Sequence, residues 1–166
     1  MTLFWHLKLL EIKKAKLFLF PKLFFAGNFI IMQGYQGSFF DLAAVDINGN
    51  LFPFSQLRGK VCLVVNTASK GSSKKKLREL QLIQDRYHWR PFSVIAFPCK
   101  QFFWQEKKND NSIGQKYASL GLTFPVMSRS DVNGNHTNDV FRWLKSKEKG
   151  IIGHSIEDNF VKFIVD

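Results

Sequence analysis

The chain has 166 residues, 45% hydrophobic and 22% charged; that suits one domain with a core and excludes a disordered segment. Two cysteines exclude a disulfide-built scaffold, four histidines at no metal-ligand spacing argue against a zinc module, and no 18-residue apolar run suggests a spanning helix. The net charge of +11 favours attraction to anions without selecting a fold, and because 18 of the 24 basic residues are Lys, no nucleic-acid partner is expected.

Residues 1–34 differ from the rest. Lys8, Lys13, Lys14, Lys16 and Lys22 sit among many Leu and Phe, with Pro21 and Gly27 as breaks. Basic before apolar is the order of a secretory leader. A membrane-surface helix and an extension upstream of a true start at Met32 are equal alternatives, so the compartment stays open. The expected organisation is therefore a leader or added extension over 1–34 and a domain over 35–166.

In the domain, Phe39–Val45 and Leu51–Phe54 flank Asp46-Ile47-Asn48-Gly49-Asn50, and Asn-Gly between alternating segments predicts a β-hairpin. Asp46-x-Asn48 and Asp131-x-Asn133 lack the glycine and terminal glutamate of a calcium loop and read as turns. Val61–Asn66 is a continuous apolar run, as in a parallel strand buried on both faces. Leu77, Leu80, Ile83, Gln84 and Tyr87 recur at helical spacing, and Phe92–Phe97 forms a second buried strand. Strand, helix and strand make a right-handed βαβ unit. Helices are predicted near 112–120 and 138–147, an extended piece at Phe124–Met127, and an alternating strand at 160–165. These elements give an α/β domain with a small mixed sheet.

The stretches SFFDLAAVDINGN (38–50), FSQLRGKVCLVVNTASK (54–70), FSVIAFPCKQF (92–102), LGLTFPV (120–126), FRWLKS (141–146) and NFVKFIVD (159–166) stand in an order that resembles the glutathione peroxidase family. The resemblance implies a thioredoxin-like fold with an N-terminal β-hairpin, lacking the family's last strand and helix, so that strand 160–165 would be an exposed edge and one sheet face uncovered. It also implies an oxidoreductase that reduces hydroperoxides with glutathione or thioredoxin as electron donor and needs no other cofactor.

That chemistry uses a thiolate or selenolate, which attacks the O–O bond and is returned by a second thiol. The resemblance places the nucleophile after Ser69 and the following residue, but Lys70 passes directly to Gly71 and the position is missing. Of the accompanying set, Gln101 and Asn159 match, Asp158 takes the Trp place, and Ala118 stands at the resolving-cysteine position. Ser69, Ser72 and Ser73 supply hydroxyls that peroxide does not oxidise as it does a thiolate. Cys62 reads as core. Cys99 reads as a small packed residue or as a substitute thiol, and the two are too far apart to bridge. Trp143 reads as core. Lys74, Lys75 and Lys76 read as a solvated face and as a candidate anion-binding site.

Three readings stay open at this level. One is a peroxidase whose nucleophile codon, between codons 70 and 71, is recoded for selenocysteine. Another is an inactive member kept as a binding or regulatory module. The third is a basic protein that binds anions or, through 1–34, a membrane surface. Oligomeric state is not legible.

Overall fold

The computed structural model describes residues 37–71, 73–102, 109–147 and 155–166; the leader reading of 1–34 and Ser72 fall outside them. Its centre is a three-stranded sheet in the order β4-β3-β5, where β3 is Val61–Thr67, β4 is Phe92–Pro98 and β5 is Lys162–Val165. β3 and β4 are parallel in the register Val61↔Phe92 to Thr67↔Pro98, and β5 runs antiparallel to β3 from Cys62↔Val165 to Val65↔Lys162. The mixed sheet expected from the apolar runs is therefore present.

Both faces of β3 and β4 are covered, which explains why neither strand alternates polar and apolar residues. Leu63, Val65, Val94 and Ala96 pack with Leu77 and Leu80 of α1 (Ser73–Arg86) and with Ile113 and Tyr117 of α2 (Asp110–Ala118). Cys62, Val64, Ile95 and Phe97 point the other way. There they meet Phe141 and Leu144 of α3 (Asp139–Lys147) together with Phe39 and Phe54. Phe39 stacks on Phe54 at 4.8 Å, and Phe97 meets Phe141 edge-on at 5.2 Å. Each such ring, fully buried, is worth about 1.5–3 kcal/mol. Trp143 is core as expected, its Nε1 donating to the Gly37 carbonyl at 3.1 Å.

The hairpin forms from β1 (Ala43–Val45) and β2 (Leu51–Pro53). Its turn is closed by the Asp46 carboxylate, which accepts from the Asn48 and Asn50 N–H groups at 2.8 Å each, and by Gly49 at φ 88°. These bonds hold the Asp46 carboxyl below its ordinary pKa, the Asn50 amide contributing most. The Asp46 segment is a turn, as its residues implied. The first strand is shorter than expected because Phe39–Asp41 is a 3-10 turn. Ser38 and Asp41 bond each other's backbone in a capping box, which wins over the extended reading of Phe39-Phe40.

At the C-terminal end, Phe163 and Val165 are buried while Val161, Lys162 and Ile164 are half-buried. β5 is an edge strand among the described residues. The exposure expected on one sheet face is limited there to those half-buried side chains. No described helix is long and apolar enough to cross a membrane.

Candidate functional site

The carboxyl ends of β3 and β4, where open α/β sheets gather their ligand-binding loops, bring most of the marked residues together. Cys99 N–H donates to the Thr67 carbonyl at 2.9 Å, so the segment after β4 stays beside the end of β3. Tyr117 of α2 reaches in from above, its hydroxyl donating to Thr67 Oγ1 at 2.8 Å.

Asn66 organises the other side. Its Nδ2 donates to the Asp158 carbonyl at 2.9 Å, and Phe160 N–H donates to the Asn66 carbonyl at 2.6 Å. The 158–160 turn is thereby clamped to the last residues of β3. Asn66 is fully buried, and its Oδ1 has no hydrogen-bond partner among the described residues. Asn159 is buried beside it, while Asp158 is exposed and turns its carboxylate back to accept from Asn159 N–H at 2.7 Å. Phe160 adopts φ 68°, a left-handed conformation uncommon for a bulky residue, and this delays the start of β5 to Lys162.

Between β3 and α1, Ala68 and Ser69 are buried, Lys70 and Gly71 are exposed, and Gly71 takes φ 60° to turn the chain into the helix. Ser73 N–H donates to the Lys70 carbonyl at 3.2 Å. The side chains from Ala68 to Ser73 carry hydroxyls and one ammonium but no sulfur. Lys74, Lys75 and Lys76 are exposed in the first turn of α1, and the Lys76 ammonium lies 5.0 Å above the Phe160 ring. A cavity of about 160 Å³ opens there, lined by Lys76, Glu79, Asn159 and Lys162 among others. Burial, and then the neighbouring Lys76, lower the pKa of Lys162, while Glu79 acts in the opposite direction.

Gln101 has its own local partners. Its Oε1 accepts from Val132 N–H at 2.8 Å and Asn133 N–H at 2.9 Å, and its Nε2 donates to the Asn133 carbonyl at 2.9 Å. In this arrangement the side chain holds the 131–133 turn. Cys99 is 0% exposed, with its Sγ 3.8 Å from Gln101 Oε1. Cys62 lies at the opposite end of the sheet, where burial pushes its thiol from an ordinary 9.0 up to about 11 against the opposing charge of Lys60. Neither thiol is in a disulfide. Cys62 is paired with Ser93, six residues before Cys99 on β4, a separation of about 20 Å along the strand. Ala118 lines a cleft of about 820 Å³ between the hairpin turn and α2. Among the described residues no three His, Cys, Asp or Glu side chains converge as a metal site requires.

The glutathione peroxidase family model matches residues 39–145. The chain belongs to the glutathione peroxidase family. It is 45% identical over 133 residues to the glutathione peroxidase-like peroxiredoxin HYR1 of Saccharomyces cerevisiae, covering 79% of this chain and 82% of that protein. It is 43% identical over 129 residues to the glutathione peroxidase-like peroxiredoxin gpx1 of Schizosaccharomyces pombe, covering 77% and 82%. The crystal structure of Trgpx in apo form superposes with a TM-score of 0.62 at 34% identity, over 78% of each chain. A thioredoxin-family thiol:disulfide interchange protein from Chlorobium tepidum superposes with a TM-score of 0.56 over 75% of this chain and 74% of that one. At 17% identity this second likeness shows the thioredoxin-like fold alone. The family is one of peroxide-reducing oxidoreductases, and the resemblance read from the six stretches is shown.

The residues that sequence reasoning did not mark are Asn66 as a clamp, Tyr117 and Thr67 as the α2–β3 tie, and Phe160 as a left-handed hinge. A polar Asn ending an otherwise apolar buried strand was the available signal for the first, because a buried amide needs partners. The other two depend on contacts between segments far apart in the chain.

Proposed function

We propose that this chain is a glutathione peroxidase-family scaffold with negligible hydroperoxide turnover of its own, kept as a thioredoxin-fold binding module. The observation that carries this reading is the composition of the β3–α1 loop. Peroxide reduction needs an ionisable sulfur or selenium at that loop, and Ala68–Ser73 supplies none. The two cysteines are buried, one at the far end of the sheet and one beneath the β4 end. Burial disfavours the thiolate, so a buried thiol is a poor nucleophile. Serine hydroxyls in the loop do not replace it, because oxygen is not carried through the sulfenic stage by peroxide.

The proposal extends to the rest of the set. Gln101 and Asn159 match the family's positions by resemblance; Gln101 holds the 131–133 turn, and Asn159 is buried in the 158–160 turn. Asp158 in the Trp place brings a carboxylate that disfavours a neighbouring anion. Lys74, Lys75 and Lys76 face solvent and would receive an anionic group of a partner at the loop. The domain that carries this function is residues 35–166.

Inserting a cysteine between Lys70 and Gly71 tests the reading directly. The variant should acquire slow, thiol-dependent hydroperoxide reduction, while the parent stays at the uncatalysed rate. Activity in the parent equal to that of the insertion variant would overturn the proposal. A second reading, a selenocysteine recoded at this junction, is favoured by the loss of just one residue at the nucleophile position. An in-frame TGA between codons 70 and 71 of the coding DNA would establish it.

A further inference from the structure

We propose that the outward face of α1 and the turn that follows it form a docking surface for an anionic lipid bilayer. The surface starts at Lys75, in the first turn of α1 beside the loop described above, runs along the helix to Trp89, and does not depend on residues 1–34.

Lys75, Arg78, Leu82 and Arg86 follow one another at intervals of three, four and four residues, so they share one side of α1, and all are exposed. Leu82 is 66% exposed although it sits mid-helix, where the opposite side of α1 buries Leu77 and Leu80. Immediately after the helix, Trp89 is also 66% exposed. A leucine on the solvent side of the helix and a large aromatic ring just past its end are both left in water, and Arg86 and Arg90 flank the ring in sequence.

The turn holds the indole in place. Trp89 Nε1 donates to the Arg86 carbonyl at 3.1 Å and so caps one of the terminal carbonyls of α1. Arg90 N–H closes the turn onto the Tyr87 carbonyl at 2.9 Å, and its guanidinium lies 4.3 Å from the Trp89 ring centre. The indole's one donor is thus satisfied within the chain and one face of its ring carries a cation–π contact, while most of the residue stays exposed. Docking would therefore cost little side-chain entropy. Two acids share this side: Asp85 is exposed and accepts from Gln81 Nε2 at 2.7 Å, and Glu79 is half-buried beside the cavity lined by Lys76 and Lys162.

Charge complementarity chooses the occupant. Arginines and a lysine around a Trp and a Leu match the interface of a bilayer with anionic headgroups, where Trp inserts at the headgroup level and each cation adds attraction. A nucleic acid is the weaker fit. One face of the indole is already covered by Arg90, which blocks base stacking there, and Leu82 has no counterpart in a phosphate contact.

The test is co-sedimentation of the full chain with vesicles of 30% phosphatidylserine in phosphatidylcholine and with pure phosphatidylcholine, near 0.1 M salt. Binding is expected only to the anionic vesicles, weakened about tenfold or more by Arg86→Glu with Arg90→Glu, and several-fold by Leu82→Ser. Leu82→Ser touches an exposed position, so it keeps the test decisive if the charge variant misfolds. Bromine-labelled lipid should quench the emission that Trp89→Phe removes. Unchanged binding in these variants would place the membrane contact elsewhere in the chain and overturn the proposal. So would a lack of vesicle binding, or retention of a DNA duplex in place of vesicles.

Discussion

Asn66 and Phe160 are joined across 94 positions of sequence by a 2.6 Å bond from the Phe160 N–H to the Asn66 carbonyl. Together with the Asn66 Nδ2 bond to the Asp158 carbonyl, it fixes the turn that carries Asn159 against the end of β3. This clamp, and not the strand pairing alone, sets the distance between the 158–160 turn and the β3–α1 loop.

Asn66→Ala should therefore loosen the turn before it loosens the sheet. Removing Nδ2 leaves the Asp158 carbonyl without that donor, a loss of about 1–3 kcal/mol in urea unfolding. Hydrogen exchange should report it first at the Asn159 and Phe160 amides.

Phe160 combines a buried ring with a strained backbone, and the two effects oppose each other on mutation. Phe160→Gly would relieve about 1–3 kcal/mol of left-handed strain but lose about 3–5 kcal/mol of packing. The expected net loss is about 2 kcal/mol. Phe141→Ala, where no such strain exists, should cost more in the same unfolding assay.

Gln101→Ala tests the structural role of that side chain. Two backbone N–H groups, at Val132 and Asn133, lose their acceptor. We expect destabilisation of about 1–3 kcal/mol, with loss of exchange protection concentrated at those two amides. An unchanged exchange pattern would show that water replaces Gln101 Oε1 without cost.

The buried strands were legible in the sequence because β3 and β4 are covered on both sides and so read as unbroken apolar runs. The hairpin was legible because Asp46, Asn48 and Gly49 close the turn by local bonds. What escaped the reading is non-local or competes with it. The capping box of Ser38 and Asp41 converted an apparent strand start into a 3-10 turn. In the site, the lack of sulfur from Ala68 to Ser73 and the presence of Asp158 are legible directly in the residues. The engagement of Gln101 with the 131–133 turn is not, since it depends on a contact 31–32 residues away.

Cys62 gives a pH signature. Its thiol holds its proton up to about 11 in the fold, above the ordinary 9.0 of an unfolded chain. Between those values the unfolded state has lost the proton while the folded state keeps it, so stability falls as pH rises through that window. Below pH 9 both states are protonated and Cys62 contributes nothing. Lys162 works in the opposite sense, because its pKa is lowered by burial and its penalty is relieved as pH rises. Comparing unfolding of the parent and Cys62→Ala from pH 8 to 11 should show a shallower alkaline decline in the variant.

The most direct measurement is steady-state hydroperoxide consumption by the parent chain, supplied in turn with glutathione and with thioredoxin, each kept reduced by its reductase. The account predicts rates equal to the protein-free background with both donors, for the parent and for Cys99→Ser alike. Turnover above background that Cys99→Ser abolishes would contradict it, and would make the buried thiol beside Gln101 the group that attacks the peroxide.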